Sequence, residues 1–464
     1  MPKKRLTVSE ADSGKKAEKR DYSVTTIEYT KDESIMLPDG MDLPAAIDVL
    51  NRRLRYESEQ TVMVEQFDVH PYDGAHALFE VLKNRFGWAE MKTKMGFFGP
   101  EPPSMLNLQV GYKETKSVPW GQYRLPGGKI DGIMETGFTK KAGRIIFQAS
   151  AHIYRRDEKF VKSIFDDVRA YLEGGGSIYQ GQAVSLKFRD EDGDMLPLPE
   201  PEFMDTAVDE NNLAFPEDTW EAVNTSLFTP LKRLDDLRAN DIPVKRGILL
   251  GGPYGTGKTL TAKVASKFAT ENGVTFIYAR QADELAMVIA FAKLYSEPAV
   301  VVFCEDIDAV MTGKRGKAVN DILNIIDGVD TKGMNLITLL TTNHTEQITQ
   351  ALLRPGRLDA VITIPAPDAP TVEKLLRIYG GDLIPDNAKL SKVGKELEGA
   401  IPAVIAEVVR RAKLHQIARQ SAGKPLAELS PDALLASAVT IRDQRDLLKK
   451  REDAADDKKG VVVT

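Results

Sequence analysis

The sequence predicts an α/β fold in which a parallel sheet flanked by helices follows an α+β domain and precedes a helical carboxyl-terminal portion. Beyond residue 214, short apolar segments alternate with helical patterns, which is typical of a parallel sheet with flanking helices. The apolar segments are RGILLGG, VTFIYA, AVVVFCED, NLITLLTTN and AVITIPAP. From about residue 368 the periodicity is helical only, which predicts a separate helical layer.

Composition excludes several classes of protein. The chain has 464 residues, of which 42% are hydrophobic and 28% charged, as in ordinary globular proteins of roughly two to four domains. The net charge of -6 gives no long-range attraction to nucleic acid. The single cysteine, Cys304, excludes an intrachain disulfide and a cysteine-rich metal cluster. Because no apolar stretch approaches the roughly 18 residues that cross a bilayer, we expect a cytoplasmic protein without a membrane contact.

The amino-terminal part precedes the alternating pattern. Residues 1–22 are polar and lysine-rich, which predicts a flexible tail, and residues 23–200 mix strand and helix patterns, which predicts an α+β domain. Within it, Asp73 is predicted to cap a helix. The following segment, EDGDMLPLPEPEFMDTAVDENNLAFPED, is acidic and proline-rich, as expected of an extended linker that cannot join a sheet. The predicted boundaries of the remaining segments are 201–214 for the linker, 215–367 for the α/β domain, 368–450 for the helical portion and 451–464 for a second flexible tail.

The segment GPYGTGKT fits the phosphate-binding pattern G-x-x-x-x-G-K-[ST], also called Walker A, between a predicted strand and a predicted helix. Its glycines let backbone N–H groups surround a phosphate, Lys258 reaches the terminal phosphates, and Thr259 offers a hydroxyl to Mg²⁺. ATP and Mg²⁺ are therefore the predicted cofactors. The predicted nucleotide-binding residues here are Gly252, Pro253, Tyr254, Gly255, Thr256, Gly257, Lys258, Thr259 and Leu260.

The segment VVVFCEDIDAV predicts the acidic half of the same site, the Walker B strand. Residues 300–303 are a buried strand candidate whose carboxyl end would lie beside the phosphate loop, where parallel sheets bind ligands. The carboxylates of Glu305 and Asp306 follow at once. We therefore expect both residues, together with Thr259, to organise the metal and to take part in catalysis.

Beyond the phosphate loop, the chain resembles the AAA family of ring ATPases over residues 215–445. The segment LLTTNHTEQITQALLRPGRLDAVITIPAPD resembles that family's second region of homology. The resemblance implies that Asn343 orients the attacking water, and that Arg354 and Arg357 are arginine fingers for the nucleotide of a neighbouring subunit. It also implies an ATP hydrolase that works as a homo-oligomeric ring, most often a hexamer. Such a ring remodels a protein client, chaperone-like, and here the α+β domain would recognise the client.

The helical portion resembles the family's lid. In LEGAIPAVIAEVVRRAKLHQIAR, the pair Gly399 and Ala400 matches the Gly-Ala that lies near the ribose and base. Tyr379 stands where many members have a histidine that contacts the purine, although an aromatic residue at helical spacing is more often part of a core. These positions complete the predicted nucleotide site.

Three departures from the family pattern bear on function. Tyr254 replaces the second proline of the usual loop, which the loop should tolerate because that side chain is not a phosphate ligand. The segment RQADELAMVIAFAKLYSEP has no aromatic-x-Gly sequence, which argues against threading of a polypeptide through the ring. The family usually has aspartate and then glutamate, whereas here Glu305 precedes Asp306. The mitochondrial AAA chaperone of cytochrome bc complex assembly has the same inverted order, and the resemblance to it covers the ATPase module.

The inverted order leaves three hypotheses. In the first, Glu305 lies near the metal and Asp306 acts on the water. In the second, Glu305 is catalytic and Asp306 or Asp308 binds the metal. In the third, the protein binds ATP with little hydrolysis and serves as a nucleotide-gated scaffold. We favour an active ATPase, since the sensor and the arginine fingers have little purpose in a protein that only binds ATP.

A nucleic-acid motor or replication accessory ATPase is the alternative from another class. It requires a basic stripe along the ring, for which Lys314–Lys317 is the candidate, and this alternative is not favoured. We expect no metalloprotease unit within these residues, because no H-E-x-x-H sequence occurs.

Overall fold

The amino-terminal domain is built on an antiparallel sheet with helices on one face. The computed structural model describes residues 28–29, 35–36, 41–96, 99–101, 104–125, 132–307, 333–344, 358–419 and 423–444. The strands of this part are β1 (Glu28–Tyr29), β2 (Ile35–Met36), β3 (Gln60–Phe67), β4 (Glu90–Lys92), β5 (Lys94–Gly96), β6 (Gly99–Glu101), β7 (Ser104–Gly111), β8 (Glu114–Trp120), β9 (Gln122–Arg124), β10 (Ile133–Lys141) and β11 (Arg144–Tyr154). Five of them form one sheet in the order β3-β11-β10-β9-β4.

Three helices accompany this sheet: α1 (Leu43–Glu57), α2 (Pro71–Phe86) and α3 (Glu158–Tyr171). Buried side chains of α2 and α3, such as Leu78, Leu82 and Ile164, form one core with Phe147 and Met134 of the sheet. The helices carry apolar residues at helical spacing, and the strands carry them at every second position. Each element therefore has one apolar face, which it buries against the other. The predicted combination of strands and helices is therefore confirmed in this region.

A second sheet of seven strands follows. Its strands are β12 (Ala183–Arg189), β13 (Met195–Phe203), β14 (Arg246–Gly251), β15 (Thr275–Ala279), β16 (Val300–Cys304), β17 (Leu336–Thr342) and β18 (Ala360–Thr363). They lie in the order β13-β12-β15-β16-β17-β14-β18, and all neighbours are parallel except β12 and β13. The five apolar segments of the sequence all form strands here, which confirms the predicted parallel sheet.

The proline-rich segment joins this sheet, so the prediction that it cannot do so was wrong. Residues 195–203 form β13, which pairs antiparallel with β12 and places Pro201 opposite Leu186. Since β13 lies at the edge of the sheet, it pairs with a neighbouring strand on one side only and needs N–H donors only there. Its prolines occupy alternate positions, 197, 199 and 201, and therefore remove donors along a single side. The sheet thus takes two strands from the chain before residue 215.

Helices cover both faces of the second sheet and then form a separate layer. The first group comprises α4 (Glu217–Val223), α5 (Thr229–Lys232), α6 (Leu234–Ala239), α7 (Lys258–Glu271) and α8 (Leu285–Ala292). The later group comprises α9 (Ala369–Gly380), α10 (Ser391–Glu396), α11 (Pro402–Arg419) and α12 (residues 431–444), which pack around a core of their own. Within the described parts of the chain, no helix is long and apolar enough to cross a membrane.

A buried polar network joins the amino-terminal domain to the second sheet. Asp73 does not cap α2 as predicted, because His70 is the cap and Pro71 opens the helix. The Asp73 carboxylate is fully buried and accepts hydrogen bonds from the Ser177 hydroxyl (2.6 Å), the Ile178 N–H (2.9 Å) and the Tyr295 hydroxyl (3.0 Å). Tyr295 follows α8, so this carboxylate links two domains.

Replacing Asp73 by alanine is expected to lower the free energy of unfolding by about 3 kcal/mol, because three donors lose their acceptor. Burial raises the pKa of Asp73 to about 6 from its ordinary 3.8. The carboxyl group therefore contributes stability that is fully present below about pH 3.8 and is lost as the pH rises through 6. We expect the loss in the variant to be larger at pH 5 than at pH 7. Urea unfolding at both pH values measures it.

The control for this substitution is Asp166→Ala on α3. Asp166 pairs with Arg169 at 3.4 Å, and its side chain is 56% exposed. Such surface pairs contribute little, so its free energy of unfolding should change by less than about 1 kcal/mol. Equal losses for the two variants would contradict a structural role for the buried network.

Candidate nucleotide site

The loop between β14 and α7 can be formed only with glycine at its first position. Gly252 has φ +154°, and a Cβ atom there would lie 2.1 Å from the carbonyl oxygen of Ile364. Gly257 has φ +107° and closes the loop directly before α7. L-residues with side chains rarely adopt such conformations. The glycine spacing of the sequence therefore determines the path of the loop.

Lys258 is held inside this loop at the amino terminus of α7. Its side chain is buried, and its ammonium donates to the carbonyl oxygens of Gly252 (2.7 Å) and Pro253 (2.8 Å). The Thr256 hydroxyl donates to the same Pro253 oxygen at 2.9 Å. A helix amino terminus, free N–H groups and a lysine together favour an anion. The loop is thus shaped for phosphate.

Glu305 lies directly after β16 and bridges two hydroxyl groups. Its Oε1 accepts from the Thr259 hydroxyl at 2.5 Å, and its Oε2 accepts from the Tyr278 hydroxyl at 3.0 Å. Thr259 belongs to α7 and Tyr278 to β15, so the carboxylate joins the phosphate loop to the neighbouring strand. The glutamate is therefore directed toward the threonine that was predicted to bind Mg²⁺.

Asp306 points elsewhere because the backbone turns at this residue. Its φ is +46°, which is unusual for a residue other than glycine. The N–H group of Asp306 donates to the Thr341 hydroxyl (3.1 Å), and its Oδ1 accepts from the side-chain amide of Asn343 (2.8 Å). The two consecutive carboxylates thus contact different partners on opposite sides of the strand end.

These residues surround one cleft of about 300 Å³. The cleft joins the phosphate loop, the end of β16 and the end of β17, as expected for adjoining strand ends of a parallel sheet. Its lining residues are Tyr254, Gly255, Gly257, Lys258, Thr259, Leu260, Glu305, Asp306, Thr341 and Asn343. The Tyr254 side chain is 66% exposed, so its large ring does not disturb the loop.

The predicted lid residues Gly399 and Ala400 are not among those that line the cleft. A Cβ atom on Gly255 would lie 3.4 Å from the Ile401 side chain, so the residue after Ala400 approaches the phosphate loop. The Gly399 N–H donates to the carbonyl oxygen of Pro367 at 2.9 Å, and Ala400 is buried in the lid core. The Tyr379 ring packs at the edge of that core, in line with the core alternative.

Other predicted residues lie outside the residues that the structure describes. These are Asp308, Lys314–Lys317, Arg354 and Arg357. Their roles therefore stay predictions.

The donor atoms at the cleft fit Mg²⁺. Thr259 and Glu305 offer a hydroxyl and a carboxylate in contact, and Asp306 lies adjacent. Across the described ranges, no group of three or more His, Cys, Asp or Glu side chains could enclose a metal ion. Mg²⁺ commonly binds through one or two carboxylates, water and substrate phosphates, so a small oxygen set beside a phosphate loop suits it.

Sequence reasoning missed Tyr278 and Thr341. Tyr278 is half-buried near the carboxyl end of β15, which lies beside β16, and Thr341 is buried in β17. The available signal was a polar side chain near the end of an otherwise apolar strand. It became informative only when the strand order placed both residues beside Glu305 and Asp306.

Comparison with known proteins agrees with this geometry. Residues 248–366 match the family model described as "ATPase family associated with various cellular activities (AAA)". The chain is 30% identical over 257 residues to the ATP-dependent zinc metalloprotease FtsH of Lancefieldella parvula, covering 50% of this chain and 39% of that protein. It is 29% identical over 239 residues to the cell division cycle protein 48 homolog of Archaeoglobus fulgidus, covering 48% of this chain and 32% of that protein.

The chain thus spans less than half the length of these relatives. The matched family segment contains the phosphate loop, both carboxylates and Asn343. It also contains the five parallel strands from β14 to β18, apart from the first two residues of β14. Residues 248–366 therefore match an AAA domain in sequence, and the cleft lined by Lys258, Glu305, Asp306 and Asn343 lies within this matched segment.

Proposed function

We propose that this protein hydrolyses ATP with Mg²⁺ in a homo-oligomeric ring and uses the reaction to remodel a protein client. The observation that carries the proposal is the single cleft that joins Lys258, Thr259, both carboxylates and Asn343. Phosphoryl transfer to water needs a phosphate cradle, a metal site and a group that acts on the water, and the cleft offers all three.

The contacts support the first of the three hypotheses for the inverted pair. Glu305 accepts from Thr259, the threonine of the phosphate loop, and so takes the position nearest the metal. Asp306 accepts from Asn343, which supports a shared role of this carboxylate and amide on the attacking water. In this assignment Asp306 accepts the proton of the water, while Asn343 orients it. When bound, Mg²⁺ would neutralise charge on the phosphate oxygens.

We propose an oligomer because the reaction needs more positive charge than one molecule supplies at its own cleft. Among its described lining residues, Lys258 is the one cation. An arginine supplied by a neighbouring molecule can accelerate such a reaction by about 10³- to 10⁵-fold. We propose that Arg354 and Arg357 act in this way in a hexameric ring.

The amino-terminal domain is proposed to recognise the client. Helix α1 exposes Leu43, Ile47 and Leu54, and β3 exposes Val62 and Val64, each with at least two fifths of its side chain accessible. Exposed apolar side chains on neighbouring elements favour contact with another protein. The segment before β16 has no aromatic-x-Gly sequence, which argues against threading of the client through a pore.

The proposal is tested by ATP turnover and by the mass of the protein in solution. Lys258→Ala is expected to lower turnover at least about 10²-fold, because the phosphates lose their buried cation. Lys263→Ala, an exposed lysine on the same helix, is the matched control and should keep the wild-type rate. Phosphate release measures turnover. Light scattering in the presence of a slowly hydrolysed ATP analogue measures the molar mass of the assembly. Equal rates for the two variants, or a monomer at all concentrations, would contradict the proposal.

A further inference from the structure

Tyr278 lies near the carboxyl end of β15, next to the strand that ends in the two carboxylates. The register pairs Tyr278 with Phe303 of β16, so the tyrosine stands two residues before the level of Glu305. Its ring stacks on the Phe303 ring with centroids 5.3 Å apart and an interplanar angle of 25°. Phe303 is itself buried, so the tyrosine ring has a fixed platform.

The Tyr278 hydroxyl reaches the oxygen of Glu305 that Thr259 leaves free. Tyr278 donates to Oε2 at 3.0 Å, while Thr259 donates to Oε1 at 2.5 Å. Each carboxylate oxygen thus has one hydroxyl donor, from two different elements. A glutamate has one more rotatable bond than the aspartate usual at this place, so it loses more rotamer freedom when it is held in one geometry. Two anchors on opposite oxygens provide that restriction.

The hydroxyl stays a donor at neutral pH. A phenol has an ordinary pKa of about 10. The phenol is therefore protonated throughout the range in which the protein would bind nucleotide. The contact is a hydrogen bond to an ionised acceptor, which is stronger than one between neutral groups.

We propose that Tyr278 is a positioning residue that holds the Glu305 carboxylate in place for the Mg²⁺ that accompanies the nucleotide. This inference rests on the proposed function, since it assigns to Glu305 the place nearest the metal. Tyr278 acts through Glu305 and needs no contact with the nucleotide. The hydrogen bond from Tyr278 lets this chain use a glutamate at a position where the AAA family usually has the shorter aspartate.

The test is Tyr278→Phe, which keeps the ring on Phe303 and removes only the hydroxyl. The binding of a slowly hydrolysed fluorescent ATP analogue is titrated with Mg²⁺ and, separately, in EDTA. We expect the Mg²⁺ concentration that gives half of the maximal increase in nucleotide affinity to be about 10-fold higher than in the wild-type protein. Such an effect is typical when a partner of a metal ligand is lost. Affinity in EDTA should stay unchanged, because the phosphate loop is intact.

Tyr112→Phe is the matched control, since Tyr112 is an exposed tyrosine of the amino-terminal domain. It should leave both titrations unchanged. Thermal unfolding of both variants checks that each is folded, and a Tyr278→Phe protein that binds nucleotide in EDTA has a formed loop. An unchanged Mg²⁺ requirement in Tyr278→Phe would overturn the inference.

A double-mutant cycle tests whether the Tyr278 hydroxyl acts through Glu305. In a Glu305→Asp background the shorter carboxylate does not span both hydroxyls, so adding Tyr278→Phe should change the Mg²⁺ requirement less than twofold. Equal effects of Tyr278→Phe in both backgrounds would show that the hydroxyl acts independently of Glu305 and would also overturn the inference.

The experiment distinguishes this inference from the proposed function because it needs no hydrolysis. If the wild-type protein binds nucleotide with a Mg²⁺ dependence that Tyr278→Phe does not alter, only the role of Tyr278 fails. If the wild-type protein binds no nucleotide, the proposed function fails, and the inference that rests on it fails too.

Discussion

Replacing Asp306 by asparagine is expected to lower ATP turnover about 10²- to 10⁴-fold while Mg²⁺-dependent nucleotide binding is retained. The reason is that asparagine cannot accept the proton of the attacking water. Asp306 accepts from Asn343 at 2.8 Å, whereas Thr259 donates to Glu305, so substitution of Asp306 should spare the metal-binding side of the cleft. Phosphate release measures turnover, and titration of a fluorescent analogue measures binding.

Two further variants make this prediction specific. Glu305→Gln should show the opposite pattern, in which the Mg²⁺ requirement rises, because the carboxylate that contacts Thr259 loses its charge. Asp235→Asn is the matched control, since that side chain is 99% exposed and lies far along the chain from the cleft. If Glu305→Gln abolished turnover with normal metal dependence and Asp306→Asn raised the Mg²⁺ requirement, the second hypothesis for the pair would replace the first.

Restoring the order usual in the family, with Glu305→Asp and Asp306→Glu together, is expected to lower turnover about 10²-fold. Each side chain changes by one methylene, roughly 1.5 Å, and an error near 1 Å in catalytic geometry can cost about 10²-fold. Aspartate at position 305 is too short to bridge Thr259 and Tyr278. Glutamate at position 306, on a backbone with φ +46°, would extend past Asn343. Turnover at saturating Mg²⁺ measures the effect.

The chain offers a matched control for this exchange. Glu191 and Asp192 form the same dipeptide in the exposed turn between β12 and β13, and exchanging them should leave turnover unchanged. A restored pair that turned over as fast as the wild-type protein would mean that the backbone at residue 306 adapts freely. The inverted order would then have no consequence for rate.

Much of the nucleotide site could be predicted from the sequence because its parts are local. The loop from Gly252 to Thr259 depends on backbone conformations that glycine permits, so the spacing of the glycines already specifies its path. The strands of the AAA domain are short, apolar and bounded by turn residues, which made their number and order along the chain readable. The two carboxylates followed from their place at the end of a buried strand.

Other features depend on neighbours that are distant in the sequence. The segment with prolines at 197, 199 and 201 has a linker composition, yet it becomes an edge strand because β12 offers it a partner. Asp73 has the type and place of a helix cap, yet its carboxylate meets Tyr295, more than two hundred residues later. Amino-acid composition does not indicate which segment, distant in the sequence, will pack against a given residue.

By itself, then, the sequence determined that this protein has a loop of the phosphate-binding pattern, an acidic strand end and an asparagine after the next strand in one α/β domain, because each is a local pattern. Only the tertiary structure decided which partners the inverted pair contacts. The order of the parallel strands brings Tyr278 and Thr259 to Glu305, and the positive φ of Asp306 turns the second carboxylate toward Asn343. Side chains from separate strands meet only when the sheet is assembled, so their distances cannot be read from residue order.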